Sequence, residues 1–178
     1  MEPATDPHKA LQAVSQLKRA LIDTSSILYM QKAGYFDLLV STIKLYTIPE
    51  VISEVGSKAR GLTLIRLFGS RALSTDKMLI SCALDNHLAM ISEDKAILSA
   101  MRCARAPYYN ALMMLNLLLI SEKIDDDSYR RFLRALKGIA RYSQTVWEFG
   151  DKVHAAVRIF SDSPDADPDQ EGIFRCRF

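Results

Sequence analysis

The sequence has few of the residues that mark a secreted or zinc-binding protein. Its three cysteines, Cys82, Cys103 and Cys176, are widely separated and include no C-x-x-C pair. Scattered cysteines in odd number are typical of a reducing compartment, and they argue against a disulfide framework and a cysteine-rich zinc site. The three histidines are equally scattered, so we do not expect a histidine-based metal site either.

Long hydrophobic runs are also missing. The most apolar stretch, Ala111 to Ile120, contains Asn116 and is about half as long as a membrane-spanning helix, so it predicts a buried helix. The N-terminal stretch MEPATDPHKALQAV is mixed in charge and lacks the apolar core of a secretory signal. We therefore expect a cytoplasmic protein with no membrane segment.

The chain also has no large excess of one charge. Its net charge of +2 is too small to identify a nucleic-acid partner. The 178 residues are enough to bury a sizeable core. Composition shifts only near the C-terminus, where SDSPDADPDQEG has five acids and no base. We expect a single domain over residues 1–160 and an acidic, flexible tail over residues 161–178.

Short apolar runs alternate with helical patterns through the first two thirds of the chain. The predicted strands are Ala20 to Ile22, Lys44 to Ile48, Leu88 to Ile91 and a short one in APYY. Strands that alternate with helices form a parallel sheet covered on both faces. We therefore predict a three-layer α/β/α fold with a central parallel sheet of four to five strands and a helical C-terminal part.

Three residues set helix boundaries in this prediction. Gly34 is expected to break or bend the helical pattern after the first strand, and Pro49 suits the first turn of a helix that follows the second strand. Thr75 is the expected cap of the helix that precedes the third strand.

Four carboxylates fall near the predicted carboxyl ends of the strands. Asp23 follows the first strand in RALIDTSSIL, and Asp94 follows the third in ISED. Glu54 lies in the helix after the second strand, and Asp76 lies in the first turn of the helix before the third. Functional groups of open parallel sheets gather beyond the carboxyl ends of the strands, so the four could share one edge.

A shared edge would favour a metal site. Carboxylates packed together repel one another, so such a cluster normally requires cations. Ligands that are all oxygen select Mg²⁺ or Mn²⁺ rather than zinc. The simpler alternative is that Asp23, Asp76 and Asp94 each cap a helix and that Glu54 is solvated. Capping explains each position alone but not the shared edge, and we favour the metal site.

The order and spacing of these segments resemble the PIN domain, a family of metal-dependent ribonucleases. LIDTSSIL resembles its opening strand–Asp–hydroxyl motif, IPEVISEV its second acidic motif, and STDKMLISCALDNHLAMISEDKAIL its third block. The resemblance covers roughly Ala20 to Tyr109, and the later helices suit the C-terminal half of the family. Glu93 is a departure, because the family more often has a neutral residue there.

The resemblance implies an endoribonuclease that uses Mg²⁺ or Mn²⁺ to hydrolyse RNA phosphodiester bonds. Its catalytic metal ligands map to Asp23, Glu54, Asp76 and Asp94. Its hydroxyl contacts, which would orient ligands or water, map to Thr24, Ser25 and Ser92. The resemblance also suggests either the toxin of a toxin–antitoxin pair, with a small antitoxin protein as partner, or a stand-alone RNA-processing nuclease. A homodimer is a further expectation.

An acid-free basic stretch follows the second motif. Between Gly56 and Thr75 the cations are Lys58, Arg60, Arg66 and Arg71. Cations beside a metal site are suited to RNA phosphates, and a solvated basic face is the alternative.

Two rival functions are also compatible with the sequence. A phosphoryl-transfer enzyme with Asp23 as nucleophile is one, but the haloacid-dehalogenase pattern requires a second aspartate two residues later, where Ser25 stands. The other is a catalytically silent PIN-like module that binds nucleic acid or protein.

Overall fold

A computed structural model of the chain describes residues 6–56, 60–65 and 73–161, with the backbone alone for residues 158–161. The strands are β1 Arg19–Ile22, β2 Lys44–Thr47, β3 Thr63–Leu64, β4 Ala89–Ile91 and β5 Tyr108–Tyr109. The helices are α1 Pro7–Ser15, α2 Thr24–Ala33, α3 Phe36–Thr42, α4 Pro49–Val55, α5 Thr75–Asp85, α6 Lys95–Cys103, α7 Ala111–Ile120, α8 Asp126–Lys137 and α9 Gln144–Ser161. The acidic tail lies outside the described residues apart from Ser161, which ends α9.

The strands form one parallel sheet with the order β3-β2-β1-β4-β5. Helices flank it, so the predicted three-layer α/β/α fold is confirmed. In the register of the sheet, Leu21 pairs with Tyr46, and Ile22 pairs with Ile91. The carboxyl ends of β1, β2 and β4 therefore meet at one edge. The strand order reverses between β1 and β4, which is where open parallel sheets place their ligands.

The predicted helix boundaries are mostly confirmed. Gly34 ends α2 in the left-handed conformation, and Pro49 stands at the first position of α4. The prediction for Thr75 was wrong, because Ser74 has the extended backbone of the cap and Thr75 is the first helical residue. The sequence prediction also missed α1 and the two-residue strand β3.

The core is continuous from the sheet into the C-terminal helices. Helix α7 is buried on almost every side because α1, α3, α8 and α9 pack around it, which explains its apolar sequence. Its buried Asn116 accepts a hydrogen bond from the Tyr129 hydroxyl at 3.0 Å and donates to the Leu112 carbonyl at 3.2 Å. Among the described helices, none is long and apolar enough to cross a membrane.

We expect Gly34→Ala to lower the free energy of unfolding by about 1 kcal/mol, because a residue with a Cβ is strained in the left-handed conformation. Gly34 has φ +90° there. Gly138 is the matched control, since it ends α8 with φ −72° and can become alanine without that strain. Urea unfolding of both variants checks this, and an equal loss of stability in both would contradict it.

Candidate active site at the carboxyl edge of the sheet

Asp23 lies at the switch point of the sheet. Its backbone N–H donates to the Ile91 carbonyl at 3.1 Å, which extends the pairing of β1 with β4 by one residue. Its side chain, only 4% exposed, caps α2 because Oδ1 accepts from the backbone N–H of Ser26 at 2.8 Å. The capping interpretation is therefore correct for this residue, and it leaves open what the other carboxylate oxygen does.

That second oxygen is held by two serines. Oδ2 of Asp23 accepts from the Ser25 hydroxyl at 2.8 Å and from the Ser92 hydroxyl at 2.6 Å. The Ser92 hydroxyl is itself oriented, because its oxygen accepts from the backbone N–H of Asp94 at 3.0 Å. Hydrogen bonds to a charged acceptor are short and strong, so together these donors fix a buried carboxylate in one orientation.

Glu54 approaches the edge from α4, which packs against α2. The Thr24 hydroxyl donates to its Oε2 at 2.5 Å, so the residue after Asp23 links the first and second predicted motifs. Glu54 is exposed and its carboxylate borders solvent. The structure thus brings Asp23, Thr24 and Glu54 into one neighbourhood.

Asp94 and Asp76 complete the predicted set less directly. Asp94 is exposed and caps α6, with Oδ1 accepting from the N–H groups of Ala96 and Ile97 at 2.6 and 3.0 Å. Asp76 is exposed in the first turn of α5, which returns to the start of β4 and therefore begins at the carboxyl edge. In the described part of the chain no hydrogen bond connects Asp76 to Asp23, Glu54 or Asp94.

The donors suit a hard divalent cation in their chemistry. They are carboxylate and hydroxyl oxygens, the ligands that Mg²⁺ and Mn²⁺ prefer. Within residues 6–56, 60–65 and 73–161, however, no three Asp, Glu, His or Cys side chains converge closely enough to hold a metal ion. Asp23 is the fixed member of the set, and the exposed Glu54 and Asp94 would have to turn toward it to share a cation.

Glu93 occupies a place that the sequence did not indicate. Its Oε1 accepts from the Ala111 backbone N–H at 2.7 Å and from the Ser26 hydroxyl at 3.5 Å. Its Oε2 accepts from the Tyr142 hydroxyl. Glu93 therefore joins the end of β4 to α2, to the start of α7 and to the segment before α9.

Burial raises the pKa of Glu93 to about 7, against the opposing effect of its hydrogen bonds from Tyr142 and Ala111, and the nearby charge of Asp23 adds to the rise. Burial also raises the pKa of Tyr142, with the charge of Glu93 as the next cause. Tyr142 stays protonated and remains the donor to Glu93. The carboxyl of Glu93 therefore changes charge near neutral pH, one residue from both Ser92 and Asp94.

The predicted basic stretch is described only in part. Arg60 is exposed, as a phosphate contact would require. Lys58, Arg66 and Arg71 lie outside the described residues.

The fold and this edge define an α/β/α domain with a buried, hydrogen-bonded aspartate at its switch point. Comparisons of the chain with protein-family models, with curated proteins and with solved structures find no match. The residues of this edge are therefore the basis on which a function can be inferred.

Proposed function

We propose that the protein is an endoribonuclease that uses Mg²⁺ or Mn²⁺ to hydrolyse RNA phosphodiester bonds, as its PIN-like sequence motifs imply. One observation carries the proposal. Asp23 is buried at the point where strand order reverses, and three hydrogen-bond donors from Ser25, Ser26 and Ser92 hold its carboxylate there. A cap needs only the bond from Ser26, so the two serine hydroxyls on the other oxygen call for a further explanation.

In this proposal each residue of the edge has a distinct role. Asp23 is the fixed ligand, and Glu54, Asp76 and Asp94 are the ligands that join it from the ends of neighbouring helices. A bound divalent cation would supply charge stabilisation for the phosphate and a water of lowered pKa. Ser25 and Ser92 keep Asp23 oriented, and Thr24 keeps Glu54 near it.

The sequence disfavours Asp23 as a phosphoryl-accepting nucleophile, because the haloacid-dehalogenase pattern requires a second aspartate two residues later and Ser25 stands there. The 4% exposure of Asp23 restricts the approach of a phosphate and of a hydrated cation alike, so burial does not separate the two roles. A catalytically silent binding module would keep the same edge, so it is separated from the proposal by a cleavage assay.

The assay uses a 5′-labelled single-stranded RNA with Mn²⁺, with Mg²⁺ and with EDTA. We expect cleavage that EDTA stops and that added Mn²⁺ restores. The products should carry linear phosphates, because attack by water leaves no 2′,3′-cyclic phosphate, whereas attack by the neighbouring 2′-hydroxyl does. Cleavage that persists in EDTA or yields cyclic phosphates would contradict the proposal.

Glu54→Gln tests the second motif in the same assay. Loss of a carboxylate ligand should lower the cleavage rate at least as much as the loss of a residue that only orients a ligand, which is about 10- to 100-fold. Glu50→Gln is the matched control, because Glu50 is also exposed on α4, one turn earlier, and has no assigned role. Equal activity of the two variants would remove Glu54 from the site.

A further inference from the structure

A groove opens beside the candidate active site, between α6 and the edge strand β5. Its volume is about 170 Å³, and it is lined by Lys95, Leu98, Ser99, Arg102 and Tyr108. Lys95 directly follows the candidate ligand Asp94, so the groove begins where the carboxylate edge ends. It then follows α6 away from that edge for about two turns.

The charges of the groove have one sign. Lys95 and Arg102 are exposed, and neither forms an ion pair within the described residues. From Lys95 to Ser121 the chain contains no aspartate or glutamate. The two cations are seven residues apart on one helix, so they lie about 10 Å apart along its axis. An anionic ligand that extends along the helix would meet a positive charge at each end of the groove.

One aromatic side chain, Tyr108, lines the groove together with the cations. Tyr108 lies on β5, which is an edge strand of the described sheet, and it is half-buried beside the apolar Leu98. A planar base can stack on an exposed aromatic ring while the backbone phosphates stay near cations, as in many proteins that bind single strands. An apolar side chain, an aromatic ring and two separated cations suit a nucleotide better than a simple anion.

We propose that this groove binds one nucleotide of a single-stranded RNA, with its base on Tyr108 and its phosphates near Lys95 and Arg102. The inference rests on the proposed function and extends it, because it gives the direction in which the bound RNA strand extends from the active site. It also predicts a preference for single strands, since a base paired in a duplex cannot lie against Tyr108.

The test is fluorescence anisotropy with a 5′-labelled uridine dodecamer and the full-length protein in EDTA, so that binding is measured without cleavage. Tyr108→Ala should weaken binding about tenfold, and Tyr108→Phe should bind like the parent because it keeps the ring. Arg102→Ala should lower the slope of log affinity against log salt by about 0.7, the effect of one phosphate contact on a single strand. Arg130→Ala, an exposed arginine on α8, is the control and should change neither quantity.

Tyr108 is half-buried, so its replacement could lower stability. The melting temperatures of all variants are therefore compared with that of the parent. Arg102 is exposed, so its replacement tests the groove without disturbing core packing. Parent-like affinity and salt slope in Arg102→Ala, with parent-like affinity in a folded Tyr108→Ala, would overturn the inference.

A cleavage assay with Mn²⁺ separates this inference from the proposed function. We expect both groove variants to raise KM with little change in kcat, because the groove lies beyond the reacting phosphate. If the parent cleaves RNA and both variants bind and cleave RNA as well as the parent does, the groove inference is overturned and the proposed nuclease activity is not. A parent that binds through Tyr108 and Arg102 without any metal-dependent cleavage would overturn the nuclease and support the groove.

Discussion

Asp23→Asn is expected to lower metal-dependent RNA cleavage by about two to three orders of magnitude, the largest effect on activity that we predict. The substitution removes the negative charge of the only candidate ligand that is buried and held by three donors. It keeps the shape of the side chain and its ability to cap α2, because asparagine caps a helix about as well as aspartate. The metal-free variant should therefore fold, with a melting temperature lowered to the extent that the bonds from Ser25 and Ser92 depend on the negative charge.

Asp125→Asn is the matched control for this variant. Asp125 caps α8 through a 2.8 Å hydrogen bond from the Ser128 N–H, as Asp23 caps α2, but it lies away from the carboxyl edge. Its substitution should leave cleavage unchanged. Equal activity of the Asp23 and Asp125 variants would reduce Asp23 to a cap, and a phosphorylated parent enzyme that the Asp23 variant cannot form would favour the nucleophile instead.

The second large effect is on stability and depends on pH. The pKa of Glu93 is raised from 4.5 to about 7 in the folded protein, so between these values the folded state binds more protons than the unfolded state. The contribution of Glu93 to the free energy of unfolding is fully present below pH 4.5, and it is lost as the pH rises through 7 and the carboxyl becomes charged. The shift corresponds to about 3 kcal/mol.

Glu93→Gln removes that dependence, because glutamine resembles the protonated acid at every pH. In EDTA we expect the variant to match the parent near pH 4.5 and to be more stable by up to about 3 kcal/mol at pH 8. Chemical denaturation at several pH values measures the difference, and Glu50→Gln on the exposed face of α4 should show none. A difference between Glu93→Gln and the parent that stays constant with pH would contradict the assigned cause.

The parts of the fold that the sequence predicted are those set by local signals. A run of apolar residues just before Asp23 indicated β1. Gly34 indicated the end of α2 and Pro49 the start of α4, each through its own backbone preference. Helix α1 has a local signal too, since Asp6 caps it and Pro7 occupies its first turn. Strand β3 has two residues, too few to show an alternating pattern.

The parts that escaped prediction depend on contacts distant in sequence. Glu93 and Tyr142 are 49 residues apart, and the sequence around neither residue predicts their hydrogen bond. The groove likewise depends on Tyr108 of β5 lying beside the cations of α6, and this follows from the pairing of β5 with β4. Asp23 and Asp94 could be proposed as ligands because each lies just after the end of a strand, whereas the hydrogen bonds that hold Asp23 could not be predicted.

The central claim is that Asp23 belongs to a site for a divalent cation, and the most direct test is the effect of Mn²⁺ on unfolding. A ligand that binds only the folded state stabilises it, by about 2.7 kcal/mol at a hundred times its dissociation constant. We predict that Mn²⁺ raises the melting temperature of the parent and of Asp125→Asn, and that Asp23→Asn loses this rise. A rise that is equal in all three proteins, or absent from the parent, would contradict the claim.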